Sequence, residues 1–328
     1  MKTADESFLL SVVVPCFNEA EVIPSCHQRM METLLTMPVD FEMIYVNDGS
    51  ADNTLETLKA IKARESRVSI VDLSRNFGKE IALSAGLDHA KGHAVVVMDA
   101  DLQDPPALIP KLFEAFLEGF DVVYAKRQAR HGETFLKKLT ASWFYKIMHI
   151  LVKPKIPENT GDFRILSRRA VEALKTFREQ HRFMKGLFAW IGYSQKEIVY
   201  NREPRFAGKT KWNYWKLWNF ALEGITSFSI APLKVSTYLG LMTAVFAFVY
   251  AMVIVYKTLF YGESVQGYPS LMVVILFLGG VQLTVLGILG EYVGRIFNET
   301  KNRPLYIIKD YFPSIQAARG VAEKAEEG

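Results

Sequence analysis

The sequence predicts an α/β protein: a mostly parallel, doubly wound sheet followed by two membrane-spanning helices. Short, β-branched apolar runs alternate with helical patterns as far as residue 127, the signature of parallel strands joined by helical crossovers. A polar cluster stands at the end of each of those runs. Near the end of the chain, residues 235–256 and 271–290 carry no charged side chain. Roughly 20 apolar residues are enough to span a bilayer.

Residues 8–14 are the first expected strand, ending at Pro15-Cys16-Phe17-Asn18-Glu19, with a helix to about residue 35. Residues 41–46 are the second, ending in Asn47-Asp48-Gly49-Ser50 before a helix over 53–63. Residues 68–73 are the third and end in Ser74-Arg75-Asn76-Phe77-Gly78-Lys79, after which a helix rich in small residues runs to His89. Residues 94–98 lead into Asp99-Ala100-Asp101-Leu102-Gln103-Asp104, and a helix over 106–118 opens at Pro105-Pro106. Residues 121–125 form the fifth strand, ahead of Lys126-Arg127.

In open α/β sheets, ligands bind outside the carboxyl ends of the strands. Five polar clusters at that edge therefore mark a site more firmly than any one of them. No G-x-G-x-x-G follows the first strand and no P-loop occurs, which argues against a dinucleotide enzyme or a P-loop ATPase. Asp99 and Asp101 are two residues apart, so in an extended chain they point the same way. Paired carboxylates repel unless a cation lies close by, and hard oxygen ligands of this kind suit Mg²⁺ or Mn²⁺ shared with substrate phosphates. The plainer alternative is an Asp-rich turn ahead of a proline-started helix.

Beyond residue 127 the pattern changes. Residues 134–153 place Phe135, Leu136, Leu139, Trp143, Phe144, Ile147, Met148 and Leu151 at helical spacing among lysines, as a helix lying on a membrane surface does. Residues 159–164 read as a polar turn before a short strand-like run and another helix. Residues 202–211 are a basic loop, and Trp212, Trp215 and Trp218 follow it as an interfacial belt over about 212–228. Lys and Arg flank the outer ends of the two spans, which by the positive-inside rule places both termini in the cytoplasm. Gly290 and Gly294 form a small-xxx-small pair that permits close helix packing, and Glu291 stands one turn from Arg295. The expected division is a catalytic domain over 1–230, a two-helix membrane domain over 231–298 and a tail over 299–328.

Of the 328 residues 50% are apolar, and the net charge is only +4, so charge gives no case for nucleic-acid binding. Cys16 and Cys26 are the only cysteines and fit free cytosolic thiols. The N-terminus has Asp5 and Glu6 but no basic region, and residues 8–14 are too short for a signal peptide, so membrane insertion is expected of the later segments.

Taken together, the motifs resemble the family 2 glycosyltransferases of the GT-A (Rossmann-like) fold. Val12-Val13-Val14-Pro15-Cys16-Phe17-Asn18-Glu19 resembles the family's opening strand and donor turn. Val46-Asn47-Asp48-Gly49-Ser50 is similar to its D-D-G-S motif, with Asn in place of the first Asp, and Asp99-Ala100-Asp101-Leu102-Gln103 resembles its D-x-D-x-Q metal site. The stretches 73–80, 159–164 and 205–212 look closest to the bacterial bactoprenol (undecaprenyl-phosphate) glucosyl transferases, which resemble dolichol-phosphate mannose synthases in their catalytic domain.

The resemblance implies a UDP-sugar donor, UDP-glucose first, with Pro15, Asn18, Glu19, Asp48, Arg75 and Asn76 on the donor side. It implies Mg²⁺ or Mn²⁺ on Asp101, with Asp99 and Gln103, and a polyprenyl phosphate acceptor held by Arg127, Arg205 and Lys211. Transfer would invert the anomeric carbon and yield a lipid-phosphate sugar for cell-surface polysaccharide (O-antigen) modification. Asp162 is open to three readings: general base, orienting residue or structural turn. The base is disfavoured because a phosphomonoester, with a second pKa of about 6, arrives largely ionised. A multi-pass bacterial inner-membrane protein, a homo-oligomer with the tetramer among its forms and a flippase partner are further implications. The alternatives are the same chemistry with mannose or an aminoarabinose derivative, a processive polysaccharide synthase, and a silent membrane scaffold.

Overall fold

The structure is a computed structural model and describes residues 8–128, 157, 160–200, 226, 229–261 and 267–315. The expected surface helix at 134–153, the basic loop with Arg205 and Lys211, and the belt at Trp212, Trp215 and Trp218 lie outside the described residues. The chain forms two compact units, residues 1–220 with 304–328, and residues 221–303.

In the first unit, β1 (Leu9–Cys16), α1 (Ile23–Leu34), β2 (Asp40–Asn47), α2 (Thr54–Lys62), β3 (Val68–Leu73), α3 (Lys79–His89) and β4 (Ala94–Val97) alternate as expected. α4 (Ile109–Leu117) and β5 (Val122–Arg127) follow. Then come β6 (Thr160–Ser167), α5 (Arg168–Thr176), α6 (Met184–Trp190), β7 (Gln195–Tyr200) and, after the second unit, β8 (Ile308–Phe312). The sheet order is β7-β5-β6-β4-β1-β2-β3-β8. Its centre, β4-β1-β2-β3, is parallel, whereas β6 runs antiparallel to both β4 and β5.

The central strands are apolar because helices cover both of their faces. Their polar exceptions each have a task. Ser11 and Glu42 stand opposite each other in β1 and β2, and Ser11 Oγ donates to Glu42 Oε1 at 2.6 Å. The same two side chains accept from the amides of Gly92 and Lys91, which ties down the turn into β4. The small residues of α3 let the helix approach the sheet closely: a Cβ on Gly86 would lie 2.2 Å from Val13 Cγ1.

Two expectations change. Thr160–Ser167 is a continuous strand whose first seven residues are buried, not a polar turn before a short run. Arg164 is held inside the fold, since it donates to the carbonyls of Gly161 and Asp162 and stacks 3.7 Å over the Phe188 ring. The region expected as a tail also returns to the sheet, where β8 pairs antiparallel with β3. Lys62 Nζ donates to the Pro313 carbonyl at 2.6 Å, the Ser314 amide to Ser69 Oγ at 2.9 Å, and the Tyr306 hydroxyl to Asp88 at 2.8 Å. All six residues of β3 are buried, which an open edge strand would not achieve.

The second unit contains α7 (Ala231–Tyr261) and α8 (Tyr268–Thr300), both long and apolar enough to cross a membrane. Their apolar side chains are exposed along their length, as lipid-facing chains must be. Glu291 and Arg295 pair at 3.0 Å as the spacing predicts, and the Tyr292 hydroxyl donates to the Ser229 carbonyl at 2.6 Å.

Candidate active site

The parallel strands β1 to β4 deliver their C-terminal loops to one edge of the sheet. β6 enters that edge by its N-terminal end, because it is antiparallel to β4, with Arg164 opposite Val97. This brings Asp162 to the aspartates that follow β4.

The loops after β1, β2 and β3 are sewn to one another. Asn18, at φ 54, accepts from the Ala51 amide at 2.8 Å, and its own amide donates to Ser50 Oγ at 3.0 Å. Asp48 is buried and accepts from the Phe77 and Gly78 amides at 2.7 and 3.0 Å, so its carboxylate shapes the turn that leads into α3. Burial pushes its pKa up against those two bonds and the nearby Arg75. Gly49, at φ 61, is forced, since a Cβ there would lie 2.3 Å from the Arg75 backbone. Asn47, where the resembled motif has Asp, donates to Asp72 at 2.7 Å; a second carboxylate would face the first in a buried site. Arg75 stays exposed, its guanidinium 4.2 Å over the Phe77 ring, and Asn76 is exposed beside it. Pro15 and Glu19 are half-buried at the same edge, and the Glu19 amide donates to Thr54.

The turn after β4 carries the acidic run. Leu102 is buried in the left-handed region at φ 57, a conformation costly for leucine that aims the residues on either side of it. Asp101 accepts from the Gln103 amide at 3.1 Å. Gln103 Oε1 and Asp104 Oδ2 are buried without a hydrogen-bond partner. These hard, under-used oxygens suit a Mg²⁺ or Mn²⁺ ion that takes its remaining ligands from substrate phosphates and water. Among the described residues, no three His, Cys, Asp or Glu side chains converge on one metal position.

Asp99 and Asp162 share one cation. Lys79 Nζ, at the first turn of α3, lies 2.6 Å from Asp99 Oδ1 and 2.5 Å from Asp162 Oδ2. Although the Lys79 side chain as a whole is 46% exposed, desolvation at its ammonium opposes the charge there, but Asp162 and Asp99 outweigh it and hold the ammonium well above the usual lysine range. Asp162 is held below the usual carboxylate range: burial raises it, and Lys79, then Lys185 and Arg164, prevail. Asp99 moves up, through burial first, and Glu80, which accepts from the Met184 amide at 2.9 Å, is pushed to about 7 by burial and by Asp162. Arg127 is taken up inside the fold. It donates to the Tyr200 hydroxyl at 3.1 Å and to Asp104 at 3.4 Å, and Tyr200 in turn donates to Asp104.

The structure thus brings Asp99, Asp101, Gln103 and Asp162 to one edge and gives Asn18, Asp48 and Arg127 bonds that position loops. Sequence reasoning missed Lys79, Glu80, Asp104 and Tyr200 as members of the site. Lys79 and Asp104 had a signal, since both lie inside the polar clusters after β3 and β4. Tyr200 had none, because only the sheet order places the end of β7 beside β5.

Residues 11–175 match the model of Glycosyl transferase family 2, and residues 231–296 match the GtrB C-terminal hairpin. The chain is 54% identical over 301 residues to an uncharacterized glycosyltransferase of Synechocystis, covering 92% of this chain and 95% of that one. It is 50% identical over 300 residues to the SfII prophage-derived bactoprenol glucosyl transferase of Shigella flexneri, covering 92% and 97% of the two chains. A crystal structure of glucosyl-3-phosphoglycerate synthase from Mycobacterium tuberculosis, in complex with Mn²⁺, UDP-glucose and phosphoglyceric acid, shares 21% identity at a TM-score of 0.46, covering 67% of this chain and 78% of that one. By its match to the family model over residues 11–175 and its identity of 50% or more to these two glycosyl transferases, the chain belongs to glycosyl transferase family 2.

Proposed function

We propose that the protein transfers glucose from UDP-glucose to undecaprenyl phosphate, with inversion, at the cytoplasmic face of a bacterial inner membrane. The observation that carries this reading is the joining, in one chain, of an acidic, cation-bridged edge of a family 2 sheet to a membrane hairpin. A soluble donor meets the first and a lipid acceptor the second. The choice of glucose and of a bactoprenol acceptor rests on the named activity of relatives at 50% identity.

In this mechanism Asp101 and Gln103, with Asp99, would hold Mg²⁺ or Mn²⁺, which when bound neutralises the diphosphate leaving group. Arg75 and Asn76, exposed in the loop after β3, meet the donor. Arg205 and Lys211 hold the acceptor phosphate at the bilayer surface, where Arg offers bidentate contacts. An oxygen of that phosphate forms the new bond to the anomeric carbon, the bond from that carbon to the UDP oxygen breaks, and UDP leaves with the electron pair. Asp162 orients the reactants and takes no proton, because its pairing with Lys79 makes it a weak base. A lipid-linked sugar made in the cytoplasm has to cross the bilayer to reach surface polysaccharide, which calls for a flippase, and Gly290 with Gly294 offers a face for a second copy of the chain.

A donor panel with undecaprenyl phosphate, read by product mass, tests the reading. UDP-glucose should give the glucosylated lipid phosphate and released UDP, and EDTA should abolish both. A product of other mass would reassign the sugar, a water-soluble polymer would reassign the acceptor, and full activity in EDTA would remove the metal.

A further inference from the structure

Two carboxylates of the acidic edge, Asp99 and Asp162, already share one cation of the protein's own. Asp99, which the family resemblance assigns to a divalent metal, is bonded to Lys79, and the same ammonium bridges to Asp162 across the site. Lys79 is not a buried structural cation: its side chain is 46% exposed, while those of Asp99 and Asp162 are 23% and 8% exposed. It stands on the first residue of α3, directly after Gly78 at φ 99, on a turn that Asp48 pins through two amides. The helix start is therefore fixed, while the four-carbon stem can move. The second oxygen of Asp162 is buried without a hydrogen-bond partner, so this carboxylate is not saturated by the fold.

One carboxylate cannot serve a lysine ammonium and a divalent ion at full strength, because the two cations repel at that distance. We propose that Lys79 is a positioning residue that acts as a resident counter-cation. It occupies the Asp99–Asp162 pair in the empty enzyme and gives up Asp99 only when a nucleoside diphosphate brings its own charge to the site, so that metal and donor bind as one unit and not metal first. This rests on the metal-dependent transfer proposed above. Once a metal takes Asp99, Lys79 keeps Asp162, and its remaining N–H groups are free to face the incoming diphosphate. The arrangement keeps a carboxylate-rich edge from collecting divalent ions when no donor is present.

The test is Mn²⁺ binding, read by electron paramagnetic resonance on the full-length protein in detergent, with and without UDP and with no acceptor. Wild type should bind Mn²⁺ weakly alone and at least about tenfold more tightly with UDP. Lys79→Met should bind Mn²⁺ alone more tightly, on the order of tenfold, because a positive charge beside the site is gone, and its coupling to UDP should shrink. Lys79→Arg should restore the wild-type pattern. Asp162→Asn leaves Lys79 to Asp99 alone and should weaken Mn²⁺ binding without UDP; it decides the matter if Lys79→Met does not fold. Tight Mn²⁺ binding by wild type without UDP, or unchanged affinity in the variants, overturns the assignment while leaving metal-dependent transfer standing. Absence of Mn²⁺ binding even with UDP, together with transfer that persists in EDTA, removes both readings.

Discussion

Asp162 shows how burial and charge settle a residue's chemistry. A buried carboxylate alone would rise in pKa and become a serviceable base, but Lys79, Lys185 and Arg164 overcome that tendency and keep it ionised. The sign follows: with the folded-state value depressed, the ion pair stabilises the fold above the ordinary carboxylate range, and that stability is lost as pH falls through the depressed value. Across the working range Asp162 therefore does not titrate. The acidic limb of the pH–rate profile should belong to the lipid phosphate and persist in Asp162→Asn. Steady-state rates from about pH 5 to 8 at saturating donor check this, since a phosphomonoester's second pKa of about 6 falls inside that range. Loss of the limb in the variant, with lipid binding intact, would make Asp162 the base.

At the level of elements, β8 shows a strand defined by its neighbours and not by its own pattern. Ile308–Phe312 alternates poorly and follows a long membrane helix, so it reads as the start of a tail. What betrays it is β3, whose fully buried sequence requires a partner on its outer side. The segment is fastened beyond the strand ladder, since Tyr306 shares the Asp88 carboxylate with Arg178 at 2.8 Å each. Tyr306→Phe keeps the ring and removes one charge-assisted bond, so it should cost about 1.5–3 kcal/mol in denaturant unfolding. An unchanged midpoint would mean that the strap contributes nothing through this bond. β6 makes the same point from the other side, because its polar residues look like a turn until the neighbouring helices supply Lys79 and Phe188 to receive them.

For the whole molecule, the second unit is an insertion: the chain leaves the first unit after residue 220 and rejoins it at 304. Two crossings return a chain to the side from which it started, and β8 pairs with β3 of the unit that preceded the crossings. By the positive-inside rule the Lys and Arg flanks predict that this shared side is the cytoplasm. Cysteine labelling can read this directly, because Cys16 and Cys26 are buried and burial pushes both thiols up, Cys26 to about 12. A membrane-impermeant maleimide added to intact spheroplasts should label Ser264→Cys and spare Lys309→Cys. The reverse pattern would invert the topology.

The sequence by itself determined the alternating α/β order, the edge where polar clusters gather, the Asp99–Gln103 turn and the two spans. These follow from local periodicity, and a strand that ends in carboxylates has to deliver them to the sheet edge. It did not determine which cation sits between the carboxylates. Lys79 and Asp162 are far apart in the chain, and they meet only because β6 enters the sheet antiparallel beside β4 while α3 starts at the same edge. For the same reason the bonds of Arg127, a candidate for the acceptor phosphate in the sequence, to Asp104 and Tyr200 appear only in the fold. Side-chain period reports which face a residue takes, but strand order decides what it meets there, and strand order is set by long-range pairing that no local window contains.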